Sequence, residues 1–234
     1  MSRVHDTPRA PLCELPKADA EFEGRRFWLL VRGDEERGRA LFGAVDETRT
    51  HAPGFQESFG GFSFENFMPT ADHELLIMFG SPNRMEGGVS LLVSDAAPDI
   101  GAISRLYGLD DGEIKNLRGE TVTRTNLREH DGYRDYTGAG TVCRIALMQT
   151  FFRGEGIGSS ALRFLQQLDI ELIELEANGL EQVTFYERNG FVDTGIDPDH
   201  GDQLALVWVN PRYGVADPFA GATLGVMRRD KSPE

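Results

Sequence analysis

The order of apolar and polar positions along the chain predicts more strands than helices. Short apolar or alternating runs between polar segments are typical of strands, and they occur at 27–31, 74–79, 89–93, 120–125, 142–148, 170–177, 204–209 and 222–227. The apolar segment 40–45 has no clear period, and we group it with 27–31 as one of the first two strands of the sheet. The polar stretch ending in Glu86-Gly87-Gly88 predicts a hairpin between 74–79 and 89–93.

Helices are predicted in three places. The apolar positions that follow Gly158 recur with helical spacing, at Ala161, Leu162, Phe164, Leu165 and Leu168. A second helix is predicted over about 180–188 and ends before Gly190, and a shorter one over about 100–107. Strands and helices therefore alternate in the second half of the chain, which indicates a mixed α/β fold.

One ordered domain is the simplest organisation for 234 residues. Prolines at positions 8, 11 and 16 predict an irregular lead-in over residues 1–21, and the domain follows over 22–234 with an insertion at about 95–140. Residues 51–70 hold five phenylalanines among glycines. This segment is either a pocket wall or a packed loop, and packing is the more frequent fate of such a cluster.

Composition and charge exclude several classes of protein. No apolar run reaches the roughly 20 residues of a membrane span, and without an apolar leader the cytoplasm is the expected compartment. The net charge of −14 argues against a nucleic-acid partner, because nucleic-acid-binding proteins present clustered Lys and Arg. Two cysteines, Cys13 and Cys143, form no disulfide framework, and neither they nor the histidines have metal-site spacing. We expect no metal.

The segment Arg153–Gly158, between strand 142–148 and the helix after it, has the character of a phosphate cradle. Its three glycines allow a tight turn and close approach of a ligand to the backbone. The N-terminus of the helix adds unpaired N–H groups and a positive dipole end. A dinucleotide fingerprint would need glycine where Ser159 stands, and a P-loop would need Gly-Lys-Ser/Thr; neither is present.

The pattern Arg-x-x-Gly-x-Gly, followed about thirty residues later by Tyr186-x-x-x-Gly190-Phe191, resembles the GCN5-related N-acetyltransferase (GNAT) family over about residues 141–194. The resemblance implies an α/β acyl-CoA N-acyltransferase fold with a central, mostly antiparallel sheet flanked by helices. Its middle strands would splay at the cradle. Acetyl-CoA would be the acyl donor, and its acetyl group would pass directly to a primary amine of a small molecule or a protein.

The resemblance also implies roles for individual residues. The backbone of Ala146, Leu147 and Met148 would pair with the pantetheine arm, and Tyr186 would act as general acid toward the leaving sulfur. We add Glu176 as the carboxylate best placed to act as general base, although a solvent-facing position is the more common fate of such a strand residue. The diphosphate would be held by Arg153, Gly154, Glu155, Gly156, Ile157, Gly158 and Ser159.

Two departures from the family pattern keep other functions open. Glu155 places a carboxylate beside the expected diphosphate, which repels it unless the side chain turns away. The segment between strand 170–177 and Tyr186 is two residues shorter than usual. A non-catalytic acyl-CoA-binding module is therefore one alternative, and an acyltransferase acting on a protein or tRNA is another, with the acidic charge disfavouring tRNA. Homodimers are common in the family, but no segment marks an interface.

Overall fold

The computed structural model describes residues 15–56, 61–94, 113–115, 121–123, 140–195 and 203–213. The strands are β1 Ala20–Phe22, β2 Arg25–Leu30, β3 Glu74–Ser81, β4 Arg84–Ser94, β5 Glu113–Lys115, β6 Thr121–Thr123, β7 Val142–Thr150, β8 Leu172–Asn178, β9 Val192–Asp193 and β10 Gln203–Val209. The helices are α1 Glu35–His51, α2 Phe64–Phe67, α3 Ile157–Leu165 and α4 Leu180–Arg188. No helix within these ranges is long and apolar enough to cross a membrane.

Eight strands form one sheet in the order β1-β2-β3-β4-β7-β8-β10-β9, and β5 pairs with β6 in a separate two-stranded sheet. Every neighbouring pair in the large sheet is antiparallel except β7 and β8, which run parallel. Helix α3 makes the connection between these two parallel strands, as parallel pairing requires a crossover. The predicted α/β fold with a mostly antiparallel sheet is confirmed.

The two faces of the sheet are covered by different helices. A Cβ at Gly88 would lie 2.4 Å from the ring of Phe62, which packs against Phe42 of α1 at 5.3 Å between ring centroids. On the other face, Phe27 of β2 stacks on Phe164 of α3 with centroids 3.8 Å apart. Because both faces are covered, β2 and β3 are buried along most of their length, which explains their continuous apolar sequences.

The prediction that residues 40–45 form a strand is wrong, since they lie in the middle of α1. Leu41, Phe42, Val45 and Thr48 are buried in this helix, and their spacing is that of one helical face. A six-residue window is shorter than two helical turns, so the period becomes visible only when the whole segment Glu35–His51 is considered.

The predicted hairpin is confirmed, but its turn is earlier than expected. Ser81 pairs with Arg84, so the turn is Pro82-Asn83, and Gly87 and Gly88 belong to β4. Both glycines are needed for packing: a Cβ at Gly87 would lie 2.2 Å from the carbonyl oxygen of Gln149. Glycines often mark a turn, but in this strand they allow neighbouring groups to approach the backbone closely inside the sheet.

The described part of the phenylalanine-rich segment is packed. Phe62 stacks on Phe67 with centroids 4.6 Å apart and contacts Phe151 at 5.3 Å, while Phe55 lies 4.9 Å from Phe151. None of these described phenylalanines lines the main cavity, so the packed-loop alternative holds for them; Phe59 lies outside the described residues.

The remaining predictions are confirmed to different degrees. Strands 142–148, 170–177 and 204–209 and the two helices around Gly158 and Gly190 are present, and within 120–125 only Thr121–Thr123 is described as a strand. Order begins slightly earlier than Phe22, because β1 starts at Ala20, which pairs with Phe27. The predicted helix at 100–107 and the strand at 222–227 lie outside the described residues.

The sheet opens between β7 and β8. These strands pair at only four positions, from Val142 with Leu172 to Ile145 with Leu175. Beyond that point β7 continues along β4, and β8 continues along β10. Ala146 is an extra residue in β7, because Ile145 pairs with Leu91 and Leu147 pairs with the adjacent Ser90. Such a bulge bends its strand, and it lies where the two strands separate.

Candidate active site

A cavity of about 660 Å³ occupies the opening between β7 and β8. Helix α3 begins on one side of it and α4 lies on the other. Most of the residues expected to bind acetyl-CoA are brought together here, together with both catalytic candidates. The cavity is lined by Ala146, Leu147, Met148, Arg153, Gly154, Gly156, Ile157, Gly158, Ser159, Glu176 and Tyr186, among others.

The glycine loop enters helix α3 through two left-handed residues. Gly154 has φ of 76° and Gly156 has φ of 68°, a region that residues with a Cβ avoid. Gly156 is the N-cap of α3 and supplies no side-chain hydrogen bond to the first turn. The N–H groups of that turn and the positive end of the helix dipole therefore face the cavity without a capping side chain, which suits an anionic ligand.

Gly158 is required for close packing rather than for its backbone conformation. A Cβ at this position would lie 3.0 Å from Cε of Met148 in β7 and 3.0 Å from Cζ of Phe185 in α4. The first turn of α3 thus contacts both β7 and α4. This contact fixes the position of the cradle relative to the rest of the cavity.

Glu155 is the one residue of the expected diphosphate-binding segment that does not line the cavity. Its carboxylate forms an ion pair with Arg84 of β4, and its carbonyl oxygen accepts a hydrogen bond of 3.4 Å from the guanidinium of Arg25. The side chain is directed away from the place where a diphosphate would lie. The expected repulsion is therefore weakened by both distance and pairing.

Tyr186 presents a protonated phenol to the cavity. It lies in α4 between Phe185, 5.1 Å away between ring centroids, and Phe191, 5.6 Å away. Burial of this half-buried side chain raises the pKa of Tyr186 to about 12, because a phenolate loses hydration in an apolar setting. At neutral pH the group is a proton donor, which is the form that a general acid requires.

Glu176 lies in β8 at the margin of the opening and is largely buried rather than solvent-facing. Its carboxylate forms an ion pair with Arg144 of β7, so two charged side chains bridge the strands close to the end of their pairing. Glu174, on the same strand face, is fully buried. The expectation that Glu176 faces solvent is wrong, because the sheet face that it shares with Glu174 is largely buried.

Three contributors to the site were missed from the sequence. Arg84 and Arg144 hold Glu155 and Glu176, but each partner lies far away in sequence and leaves no local signal. Gln149 in β7 also lines the cavity. It is 2% exposed, and its amide nitrogen and oxygen form no hydrogen bond with any described residue. This residue could have been recognised from the sequence as a candidate, because a glutamine inside an apolar run is expected to be buried and a buried amide usually has a hydrogen-bond partner.

Within the described ranges, no group of three or more His, Cys, Asp or Glu side chains is arranged to hold a metal ion. His51 ends α1 and His73 precedes β3, and neither belongs to the lining of the main cavity. His130 and His200 lie outside the described residues. Cys143 is a fully buried residue of β7.

Comparison with known proteins finds solved structures that resemble this chain at low sequence identity. No family model matches the sequence, and no curated protein matches it. A solved structure of FeeM, an N-acyl amino acid synthase from uncultured soil microbes, is 16% identical with a TM-score of 0.40, over 88% of this chain and 98% of that one. NAA60 of Arabidopsis thaliana in complex with acetyl-CoA is also 16% identical, with a TM-score of 0.38, over 79% and 99% of the two chains.

An N-acetyltransferase from Staphylococcus aureus Mu50 is 11% identical with a TM-score of 0.35, over 80% of this chain and 97% of that one. The fold itself is defined by this chain's own sheet, which is mixed α/β, mostly antiparallel, with one splayed parallel pair. At these identities the likeness does not extend to individual residues, whose roles follow from the contacts in this chain.

Proposed function

We propose that this protein is an acyltransferase that passes the acetyl group of acetyl-CoA directly to a primary amine. The observation that carries this proposal is the content of one cavity: an open strand edge, a glycine cradle at an uncapped helix N-terminus, and a protonated phenol. An anionic donor with an extended arm and a thiol leaving group would use all three.

The donor would be held mainly by backbone. The edge of β7 at Ala146–Met148 is not paired with β8, so an extended arm carrying amide groups can add to it as a short strand. Arg153 is exposed beside the loop and supplies a positive charge for the diphosphate, while the N–H groups of Gly154–Ser159 supply donors.

The chemistry requires no covalent intermediate on the protein. The neutral amine attacks the thioester carbonyl carbon, a C–N bond forms, and the C–S bond breaks as the tetrahedral adduct collapses. Tyr186 would give its phenolic proton to the departing sulfur, and the amine would lose one proton to a base. Proton return from solvent would restore the phenol for the next turnover.

Glu176 supports the other proton transfer. Its carboxylate lines the same cavity as Tyr186, and Arg144 holds it in one orientation. It would take the amine proton directly or through a water molecule. Glu176→Gln is expected to reduce turnover, because the attacking amine loses its acceptor for this proton, and to leave donor affinity unchanged.

Calorimetric titration of acetyl-CoA tests the donor site. We expect binding to the unaltered protein and loss of binding in Gly156→Glu, because that change adds a carboxylate and a strained left-handed residue to the cradle. Glu65→Ala in α2, away from the cavity, is the matched control and should bind normally. Failure of the unaltered protein to bind acetyl-CoA would reject the proposal.

Labelled acetyl-CoA then identifies the acceptor. Incubation with a cell extract, followed by mass spectrometry, should yield either a labelled small amine or a labelled protein, each absent with Tyr186→Phe. Binding of acetyl-CoA without any labelled product would favour the non-catalytic binding module. Label on tRNA would contradict the expectation drawn from the net charge of −14.

A further inference from the structure

The loop that forms the cradle has one side chain that can attach it to the rest of the protein. Between Phe152 and α3, the loop consists of Arg153, Gly154, Glu155 and Gly156. The two glycines have no side chain, and glycine loses more conformational freedom on ordering than any other residue. Arg153 is exposed and lines the cavity. Only Glu155 extends from the loop toward the body of the protein.

The Glu155 side chain contacts a cluster of charged residues whose central member, Glu86, is buried. The Glu155 carboxylate pairs with Arg84, and Arg84 also lies 3.4 Å from the carboxylate of Glu86. The Glu86 side chain is 4% exposed and accepts a 2.8 Å hydrogen bond from Arg25. Arg25 in turn donates to the carbonyl oxygen of Glu155. The loop is thus attached to β2 and β4 through side chain and backbone at once.

Arg84 is fixed independently of Glu155. Its guanidinium carbon lies 3.8 Å from the centre of the Phe152 ring, a cation–π distance, and the buried Glu86 holds it from another side. An exposed ion pair alone contributes little, because two mobile side chains must be ordered. Here one partner is already ordered, so most of the entropy loss on pairing falls on Glu155 and its loop.

We propose that Glu155 is a positioning residue that holds the Arg153–Gly158 loop in the conformation that binds the donor. This inference rests on the proposed donor site and deepens it. Two arginines and two glutamates form the cluster, so its formal charge is zero, and the Glu155 charge is neutralised where it stands. Ordering the loop before binding lowers the entropy cost of binding. Glu155 therefore favours an anionic ligand that its charge alone would repel.

Hydrogen exchange on the ligand-free protein tests the positioning directly. The Ser160 amide donates to the Gly156 carbonyl oxygen of the loop at 3.0 Å, and in Glu155→Gln it should exchange about two- to five-fold faster, the range that corresponds to loss of a partly exposed pair. The matched control is Asp72→Asn, which breaks the exposed 3.3 Å pair between Arg32 and Asp72, away from α3 and the cavity, and should leave this amide unchanged. Unchanged exchange in Glu155→Gln would overturn the inference.

The change in donor affinity is a second measurement, and its direction distinguishes positioning of the loop by Glu155 from repulsion of the diphosphate by Glu155. If Glu155 positions the loop, Glu155→Gln should weaken acetyl-CoA binding about three- to five-fold and raise KM with kcat unchanged. If the carboxylate merely repels the diphosphate, the same variant should bind more tightly. Equal or tighter binding would overturn the inference. In an Arg84→Gln background the effect of Glu155→Gln should disappear.

The two proposals fail differently. If the unaltered protein does not bind acetyl-CoA, the donor site is rejected, while the exchange experiment still decides whether Glu155 orders the loop. If acetyl-CoA binds and neither exchange nor affinity changes in Glu155→Gln, the donor site stands and the positioning role is rejected. Circular dichroism of each variant establishes that it is folded; the half-exposed Glu155 side chain tolerates an amide.

Discussion

At the scale of single residues, the phenol of Tyr186 carries the sharpest chemical expectation. Tyr186→Phe removes the proton donor and leaves the ring packing against Phe185 and Phe191 intact. We expect kcat to fall about 10²- to 10⁴-fold, the range for a positioned general acid, while calorimetric affinity for acetyl-CoA stays unchanged. Because its pKa is raised to about 12, ionisation of Tyr186 should not reduce the rate below about pH 11. Unchanged turnover in the phenylalanine variant would assign Tyr186 to packing alone.

The raised pKa of Tyr186 also predicts a loss of stability at alkaline pH. The unfolded phenol ionises near pH 10 and the folded one near 12, so between these values the folded state binds more protons and the free energy of unfolding falls as pH rises. The loss should amount to about 2 kcal/mol for this half-buried group. Denaturant titrations at pH 9.5 and 11.5 should show a smaller loss in Tyr186→Phe than in the unaltered protein. An equal loss in both would contradict the assignment.

Gln149 predicts a stabilising substitution in the ligand-free protein. Both polar atoms of its amide are buried without a hydrogen bond to any part of the chain that is described, and each such atom costs free energy. Gln149→Leu should therefore raise the free energy of unfolding by about 1–2 kcal/mol. Thr48→Val is the matched control: this buried hydroxyl donates to the Ala44 carbonyl and accepts from the Met85 N–H, so its removal should destabilise the protein. Chemical denaturation measures both.

Single residues also show what sequence patterns can and cannot reveal. The cradle glycines and Tyr186 were predicted from local patterns, the spacing along a loop and a helix, and they line one cavity. The direction of the Glu155 side chain was not predictable, since its partner Arg84 is 71 positions away. Glu176 was misjudged for a similar reason: its strand alternates in a way that suits one exposed face, but that face is largely buried.

At the scale of elements, α3 links the cradle to the core. Phe164 is 6% exposed and stacks on Phe27 of β2, so it anchors the helix whose first turn forms the cradle. Phe164→Ala should destabilise the protein by about 3–5 kcal/mol and also weaken acetyl-CoA binding, because the helix N-terminus shifts. Phe42→Ala in α1, on the opposite face of the sheet, should cost a similar amount and leave affinity unchanged. Thermal unfolding and calorimetry below the melting range compare the two.

Elements with a long periodic pattern were predictable, whereas α1 was not. Helices α3 and α4 have apolar positions that repeat over two turns and are bounded by glycines, before α3 at Gly156 and after α4 at Gly190, and both are confirmed. The buried residues of α1 include Gly38 and are separated by charged residues and by Gly43, and the two glycines weaken the helical signal. The bulge at Ala146 left no local signal either, because it arises from register between β4 and β7.

At the scale of the whole molecule, ligand binding should shift the folding equilibrium. A donor at one hundred times its Kd adds about 2.7 kcal/mol to the free energy of unfolding, which corresponds to a rise in Tm of roughly 5–10 °C for a domain of this size. We expect this shift with acetyl-CoA for the unaltered protein and for Tyr186→Phe, and none for Gly156→Glu. Differential scanning calorimetry measures it. A shift retained in Gly156→Glu would place the donor outside the cradle.

The opening between β7 and β8 has a mechanical consequence. The large sheet consists of two parts joined by a seam of four residue pairs, from Val142–Leu172 to Ile145–Leu175. By contrast, β7 pairs with β4, and β8 pairs with β10, along the whole length of β7 and of β8. A force that pulls β7 and β8 apart would therefore concentrate on this short seam. An extended ligand laid along β7 would lengthen it, so the molecule should resist such a force better when loaded than when empty.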